Sequence, residues 1–516
     1  MPPEAARARP AAWLLLLPLL GLCFWQLGAV PLFDLDEGAF SAATWEMLQR
    51  GDFVTPWLNG APRFDKPILI YWLQAASVSA FGLSEWALRL PSALAAALWV
   101  LAVWRFTVAR GGPVAGLLAA LFMATSAGVL VIGHAATADA VLNLWLALAM
   151  LDLYRHFETP TRALRLRVFL WVGLAVLTKG PIGLLIPGVV SLAFHAVEGR
   201  WRDWLRAAFD PLGWVVLLGV ALPWYVAEYL AQGQAFIDGF FLKHNLSRFA
   251  DTMEGHGGVP YYYLFAMLPL LMPWSGAVLA LLGRARALWR SGPLARYGLL
   301  WFGFVFVFFS FSRTQLPHYL LYGCTPLFVL LALHRDWLRP RWLVAGVPLL
   351  LAVAFLALPE LVAWQLPREG NAYVHGVLAR AQALLGDGYR LWAGLLVLAL
   401  AAGLAVPRRW QAGWLAATGL AHALFLLQGL LPVLGGAQQA PVKAAALASR
   451  AVDAPVVMYR INMPSFIVYR QAVTPRRRPR PGEVVFTRAD RLEALGPLDI
   501  LYRAGGIVLA RVPGGP

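Results

Sequence analysis

FDLDEGAFSAATWEMLQRGDFVTPWLNGAPRFDKPILIYWL, residues 33–73, packs Asp34, Asp36, Glu37, Glu46, Asp52 and Asp65 together with Arg50, Arg63 and Lys66 into about forty positions. It follows directly on WLLLLPLLGLCFWQLGAV (13–30), an apolar run long enough to cross a bilayer. Hydrophobic residues make up 60% of the 516-residue chain and charged residues 14%, against roughly 25% charged in soluble domains. Such a concentration of charge beside a membrane wall needs a chemical reason. The composition reads as a polytopic α-helical membrane protein.

The net charge of +16 would suggest nucleic acid in a soluble chain. Here the arginines are scattered over short connections between apolar runs, which is how membrane topology is written, and no nucleic-acid partner is expected. Cys23 and Cys324 both lie in apolar runs, so neither a disulfide framework nor a cysteine metal site is indicated. Arg7 and Arg9 precede the first apolar run as in a secretion signal. That run is too long for one and lacks an A-x-A site, so residues 12–30 read as an uncleaved span.

About thirteen spans are expected, near 12–30, 90–108, 113–131, 136–153, 167–178, 180–197, 211–230, 262–283, 295–312, 316–333, 342–362, 390–406 and 412–433. Alternate connections carry the basic residues, among them Arg105 and Arg110, Arg162 and Arg165, Arg200 and Arg206, and Arg408 and Arg409. Positive loops stay inside, which places the N-terminus in the cytoplasm and the C-terminus outside. The chain then divides into a membrane domain (1–435) and a small external C-terminal α/β domain (436–516). In the latter, APVVMYRI, PSFIVYR, EVVFTRA and GIVLARV read as β-rich runs. The first external loop, 31–89, is expected to hold interfacial helices over 38–50 and 68–81, the former ending at Gly51. The loop 231–261, with Gly255, Gly257 and Gly258 close together and few apolar residues around them, reads as a cover.

Moving a sugar between oxygens needs a carboxylate to take the acceptor proton and cations to hold a departing phosphate. Asp36 and Glu37 meet the first need at the top of span one, although acids there also serve solubility. Asp139 stands in an apolar segment on the same face; an intramembrane acid is a functional candidate by default, with helix N-capping as the plain alternative. Lys66, held extended before Pro67, can anchor a lipid phosphate or merely snorkel. Lys179, Arg248 and Arg313 are further external cations. No cofactor is required, but His244 and His256 with Asp65 or Glu254 could hold a divalent cation. No Gly-rich phosphate loop appears. A transporter would place its groups near the bilayer midplane in repeated halves, which this chain does not show; a lipid-binding scaffold is the remaining rival.

The order Asp36-Glu37, EML (46–48), GD (51–52), Pro56, Leu58, Gly60, Phe64, Lys66-Pro67 and Tyr71-Trp72 resembles the ArnT-like glycosyltransferases. These are relatives of the protein O-mannosyltransferases in the GT-C fold class. The likeness continues through Asp139 before NLWLAL, LTKGP (177–181), LPW (222–224), HNLSRF (244–249), YYYL (261–264) and SRTQLPHYLL (312–321), covering roughly 30–335. It implies inverting transfer of a monosaccharide from a polyprenyl-phosphate donor to an envelope acceptor, lipid A-like or another glycan, or a protein, on the non-cytoplasmic face of a bacterial inner membrane. Residue by residue it implies Asp36 as the principal catalytic carboxylate and Asp139 as a second acid. It also implies Lys66 and Arg248 on the donor phosphate, Tyr319 lining the donor cavity, and His244 in a metal-associated loop. Two departures stand out: Ala39 where the aminoarabinose transferases carry Arg, and Asp65 where they carry Glu.

Overall fold

The computed structural model describes residues 10–247, 259–338 and 341–514. A helix or a broken pair of helices stands at each of the apolar stretches read above. Among the described residues four helices are long and apolar enough to cross a bilayer alone, Glu85–Ala124, Pro211–Gln232, Pro293–Ser310 and Arg408–Gln438; two bent pairs raise this to six. Several of the others are cut short by breakers. Pro273 parts Tyr262–Leu270 from Ser275–Leu282, for example. The architecture is that of an integral, multi-pass helical membrane protein.

The elements that matter for the site come early. They are α1 (Pro10–Gly21), α2 (Asp36–Arg50), the strands β1 (Trp57–Leu58) and β2 (Ala61–Pro62), α3 (Leu69–Phe81) and α4 (Glu85–Ala124). Next follow α5 (Ala127–Gly133), α6 (Asp139–Glu158), α7 (Arg162–Lys179), α8 (Ile182–Val197), α9 (Trp201–Ala208) and α10 (Pro211–Gln232). α4 is two helices joined without a loop at Gly112, whose φ of 77° only glycine adopts freely. The charged stretch and the first turns of α4 and α6 share one end of the bundle, and the last turn of α7 returns to it.

α2 ends where its glycine predicts, with Gly51 left-handed at φ 66°. It is not an interfacial helix, however, because it is buried from Glu37 to Met47. Phe40, Ala43 and Met47 join the main membrane core, while Ala42 and Trp45 face the C-terminal unit. After α2 the chain makes a hairpin that the sequence reading passed over. Asn59 (φ 55°) and Gly60 (φ 82°) both take positive φ between β1 and β2, the requirement of a tight two-residue turn.

The last 75 or so residues carry β3 (Val456–Met458), β4 (Val484–Arg488), β5 (Asp499–Ala504) and β6 (Ile507–Arg511) in a sheet of order β3-β4-β6-β5. β3 and β4 are parallel and the other pairs antiparallel. Alternation sorts its side chains. Val456, Met458, Val484, Phe486 and Leu509 face α2, whereas Val457, Val485, Val508 and Ala510 face the other way. The run PSFIVYR, read as a strand, is instead a helix over Ser465–Arg470. β-branched propensity is a weak prior there, and burying Phe466 and Ile467 against α2 overrides it. β5 was not foreseen; its exposed, alternating DILYRA edge lacks a long apolar run.

Candidate functional site

Two cavities meet above the bundle. The larger, about 880 Å³, is walled mostly by apolar side chains such as Val131, Phe265, Leu270, Phe425 and Leu430. The smaller, about 90 Å³, is polar, lined by Arg63, Asp65, Lys66, Lys179 and Tyr319, with Asn462 and Pro464 from the C-terminal unit. Leu35, Asp36, Asp139 and His318 line both. Residues more than a hundred positions apart thus converge on one seam, and Asp36, Asp139 and Lys66 reach the same pocket.

Asp36 opens α2 and is exposed toward both cavities. Among the described residues no hydrogen bond or close ion pair ties its carboxylate down, which suits a group that must accept a proton. Its neighbour Glu37 is the opposite case. Arg89 of α4 grips it with Nε on Oε1 and Nη2 on Oε2, both at 2.8 Å. The amides of Ala136 (2.6 Å) and Phe33 (2.9 Å) add two further donors. Glu37 is 3% exposed and Arg89 1%. Arg89 spends its remaining donors on the carbonyls of Leu27, Val30 and Pro31. This buried pair bolts the entry of α2 to α4 and to the segment 27–31 that follows α1, and leaves Glu37 no oxygen for a reactant.

Asp139 is held differently. Its Oδ1 accepts from Lys179 Nζ at 2.5 Å and from Tyr322 Oη at 2.6 Å, with His318 Nε2 at 3.5 Å. Lys179 ends α7 and lies over the rings of Tyr319 (5.0 Å) and Tyr322 (5.4 Å), a cation–π arrangement. The LTKGP and QLPHYLL stretches therefore act as one brace for Asp139. Sequence reading had Lys179 as a loose external cation and did not single out His318 or Tyr322. The only available signal was polar residues in apolar surroundings.

Arg63, a loop charge in the sequence, is a wall of the small pocket. It pairs with Asp65 at 2.9 Å, donates to Tyr71 Oη at 3.2 Å and stands over the Phe40 ring at 5.6 Å. It thus puts a guanidinium into the small pocket beside Ala39, where the family pattern has its arginine. Lys66 Nζ donates to the carbonyl of Asp65 at 2.9 Å and faces the same space. Arg313 is exposed and lines neither cavity. Arg248, His256, Glu254 and the His244 side chain lie outside the described residues. Asp65, turned to Arg63, belongs to no group of three or more metal-ligating side chains among the described residues. A metal set around it is thus not supplied by them.

The C-terminal unit holds the seam from above. Ser465 donates its amide (2.9 Å) and its hydroxyl to the carboxylate of Asp34, two residues before Asp36. Asn59, at the hairpin tip, exchanges two 2.8 Å bonds with the backbone of Thr474. Tyr469 Oη accepts from the Leu32 amide (2.7 Å) and donates to Glu85 (3.0 Å). Burial pushes the Asp34 carboxyl up to about 7, against the pull of the Ser465 bonds.

A helical bundle with this lipid-sized slot and charged seam is a membrane protein of the GT-C fold. It superimposes on ArnT from Cupriavidus metallidurans bound to undecaprenyl phosphate with a TM-score of 0.82 and 22% identity, over 98% of this chain and 100% of that one. The family model for dolichyl-phosphate-mannose-protein mannosyltransferases matches residues 65–226. The undecaprenyl phosphate-alpha-4-amino-4-deoxy-L-arabinose arabinosyl transferase of Aeromonas salmonicida (strain A449) is 32% identical over 423 residues, 75% of each chain. The protein of the same description from Shewanella sediminis (strain HAW-EB3) is 31% identical over 317 residues, 59% of this chain and 56% of that one. That match spans little more than half of the relative's length. The chain belongs to the ArnT-like glycosyltransferase family.

Proposed function

We propose that the chain moves a monosaccharide from a polyprenyl-phosphate donor to a hydroxyl of an envelope acceptor, a lipid A-like lipid or another glycan. The observation that carries this reading is the seam itself. A wide apolar cavity suited to a polyprenyl chain runs into a narrow charged pocket, where Lys66 and Arg63 can meet its phosphate, and Asp36 stands where they join. The acceptor oxygen attacks the anomeric carbon as the bond to the phosphate oxygen breaks, and the configuration inverts. Asp36 takes the acceptor proton. The departing phosphate keeps the bonding electron pair and is met by Lys66 and Arg63, with Arg248 as a further cation from its loop; Arg313, outside both cavities, takes no part. Tyr319, under Lys179, lines the phosphate pocket.

Asp139, braced by Lys179 and Tyr322, is assigned to orienting the sugar, and Glu37 to positioning α2 through Arg89. No step is routed through a metal. Fixed donors in a water-poor slot stabilise developing phosphate charge more than water does. By the distribution of basic loops the thirteen apolar stretches are thirteen spans, the seam and the unit 436–516 lie outside, and the N-terminus is cytoplasmic.

The test is transfer by the purified full-length protein in lipid, given undecaprenyl-phosphate pentose or hexose donors and lipid A. A product heavier than the acceptor by one sugar residue is expected, and no product with any donor sinks the reading. The match of residues 65–226 to the mannosyltransferase model supports a second reading with protein as acceptor. A glycosylated polypeptide in place of a glycosylated lipid would establish it.

A further inference from the structure

A second built cavity lies at the far end of the same helix that begins with Asp139. His156 stands 17 residues further along α6, about 26 Å away at 1.5 Å per residue. There a polar pocket of about 310 Å³ is lined by His156, Arg162, Arg165, His195, Arg200 and Arg206. It shares the walls His156, Arg165, His195 and Ala207 with a slot of about 270 Å³ that is otherwise apolar, between Val168, Phe169, Leu184, Pro187 and Trp214.

The charge is unbalanced. Four guanidiniums share the pocket with one carboxylate, Asp203, and Asp210 stands behind Arg165 at 2.5 Å. Two positive charges therefore remain in excess. Arg200 is fixed by Asp203 (3.0 Å) and by the Phe157 carbonyl (2.9 Å), while Arg206 reaches Asp203 only at 3.6 Å. Arg162 is exposed at the start of α7. The pocket opens where a bilayer surface is expected. α9 shows Trp201 and Leu205 to the outside, Phe209 follows it, and Val215 and Leu218 of α10 continue the apolar surface. Aromatic and aliphatic groups beside arginines are the composition of a helix lying at the headgroup level.

We propose that this pocket and slot together bind an anionic lipid at the membrane face opposite the catalytic seam, the phosphate among the arginines and a hydrocarbon chain between α7, α8 and α10. Charge complementarity selects the headgroup; basic pockets between membrane helices hold acidic headgroups in this way. The shared wall selects a molecule in which phosphate and chain are covalently joined, which a free phosphate is not.

The test uses the full-length protein, loaded with phosphatidylglycerol or phosphatidylcholine of identical chains and read by native mass spectrometry for retained lipid. Phosphatidylglycerol is expected to be kept in preference. Arg162→Ala with Arg206→Ala should lower its retention by about tenfold, since each surface arginine contributes measurably to acidic-lipid binding. Gly188→Leu should lower retention by closing the slot: a Cβ at Gly188 meets nothing within 4 Å, so the side chain enters open space. An excess of inorganic phosphate should leave the lipid in place. Unchanged retention in the double arginine variant overturns the proposal, as does displacement by inorganic phosphate, which would mark a free-anion site. An unchanged thermal midpoint in each variant assigns the loss to the site and not to the fold. If Gly188→Leu does not fold, the arginine pair decides alone.

Discussion

The two cavities that meet at Asp36 are built on different physical terms. The wide one has walls contributed by many helices, few polar atoms and tolerance of shape; the narrow one is a small space that gathers Asp36, Arg63, Asp65, Lys66, Asp139 and Lys179. An apolar wall attracts a chain without orienting it, because burial is non-directional. Charge-assisted hydrogen bonds fix geometry. Capture and alignment are thereby assigned to separate surfaces, and the reacting atoms belong on the line between them.

The sharpest way to break this division is at the line itself. Asp36→Asn should lower transfer by about 10²–10⁴-fold, the range for losing a general base, while the protein still binds undecaprenyl phosphate. Loss of lipid binding together with turnover would return Asp36 to a structural role. Next in size is the bolt behind it. Arg89→Ala leaves Glu37 buried without its partner and should cost about 3–5 kcal/mol of stability, read as a lowered thermal midpoint and poor recovery of folded protein. An unaltered midpoint would show the pair to be dispensable.

On the narrow side, Lys66→Ala and Arg63→Ala should each weaken binding of undecaprenyl phosphate by about 10–100-fold, equivalent to about 1.5–3 kcal/mol for a hydrogen bond to a charged group. Binding of an uncharged polyprenol should not change. Equal losses for both ligands would mean that the pocket acts through shape. On the wide side, Val131→Trp should raise the KM for a long-chain donor several-fold through overpacking and leave a short-chain analogue unaffected. Equal effects on both donors would detach the wide cavity from the chain.

The smallest effect on turnover is expected at Asp34. Its folded value, raised to about 7 from 3.8, gives a stability contribution that is fully present below about pH 4 and is lost as the pH rises through about 7. Asp34→Asn should flatten the thermal midpoint across that window. A slope that persists in the variant would place the titrating group elsewhere.

Much of this was readable in the residues. Helical segments at the apolar stretches and the end of α2 at Gly51 follow from local composition, and the grouping of Asp36, Lys66 and Asp139 was implied by the topology of the basic loops and by the family resemblance. What escaped were partnerships. Glu37 and Asp36 are adjacent acids with the same local environment in sequence, and only the arrival of Arg89, 52 residues later, makes one a bolt and leaves the other open. Lys179 reads as one more terminal cation until α7 brings it to Asp139. Arg63 reads as a loop charge until it stands in the pocket beside Ala39.

The C-terminal unit shows the same boundary from the other side. Short runs of β-branched and apolar residues bounded by turn residues declared strands in β3, β4 and β6, because such composition is a local property of the chain. Ser465–Arg470 declared a strand and became a helix, because its surroundings include α2, more than four hundred residues earlier. By itself the sequence determined a membrane bundle, its helical segments and the family pattern of its charged stretch, since hydropathy and turn chemistry act over a few residues. Only the tertiary structure decided which charges neutralise one another and which stay available. An ion pair in a low-dielectric interior depends on distance in space, and distance along the chain carries no information about it.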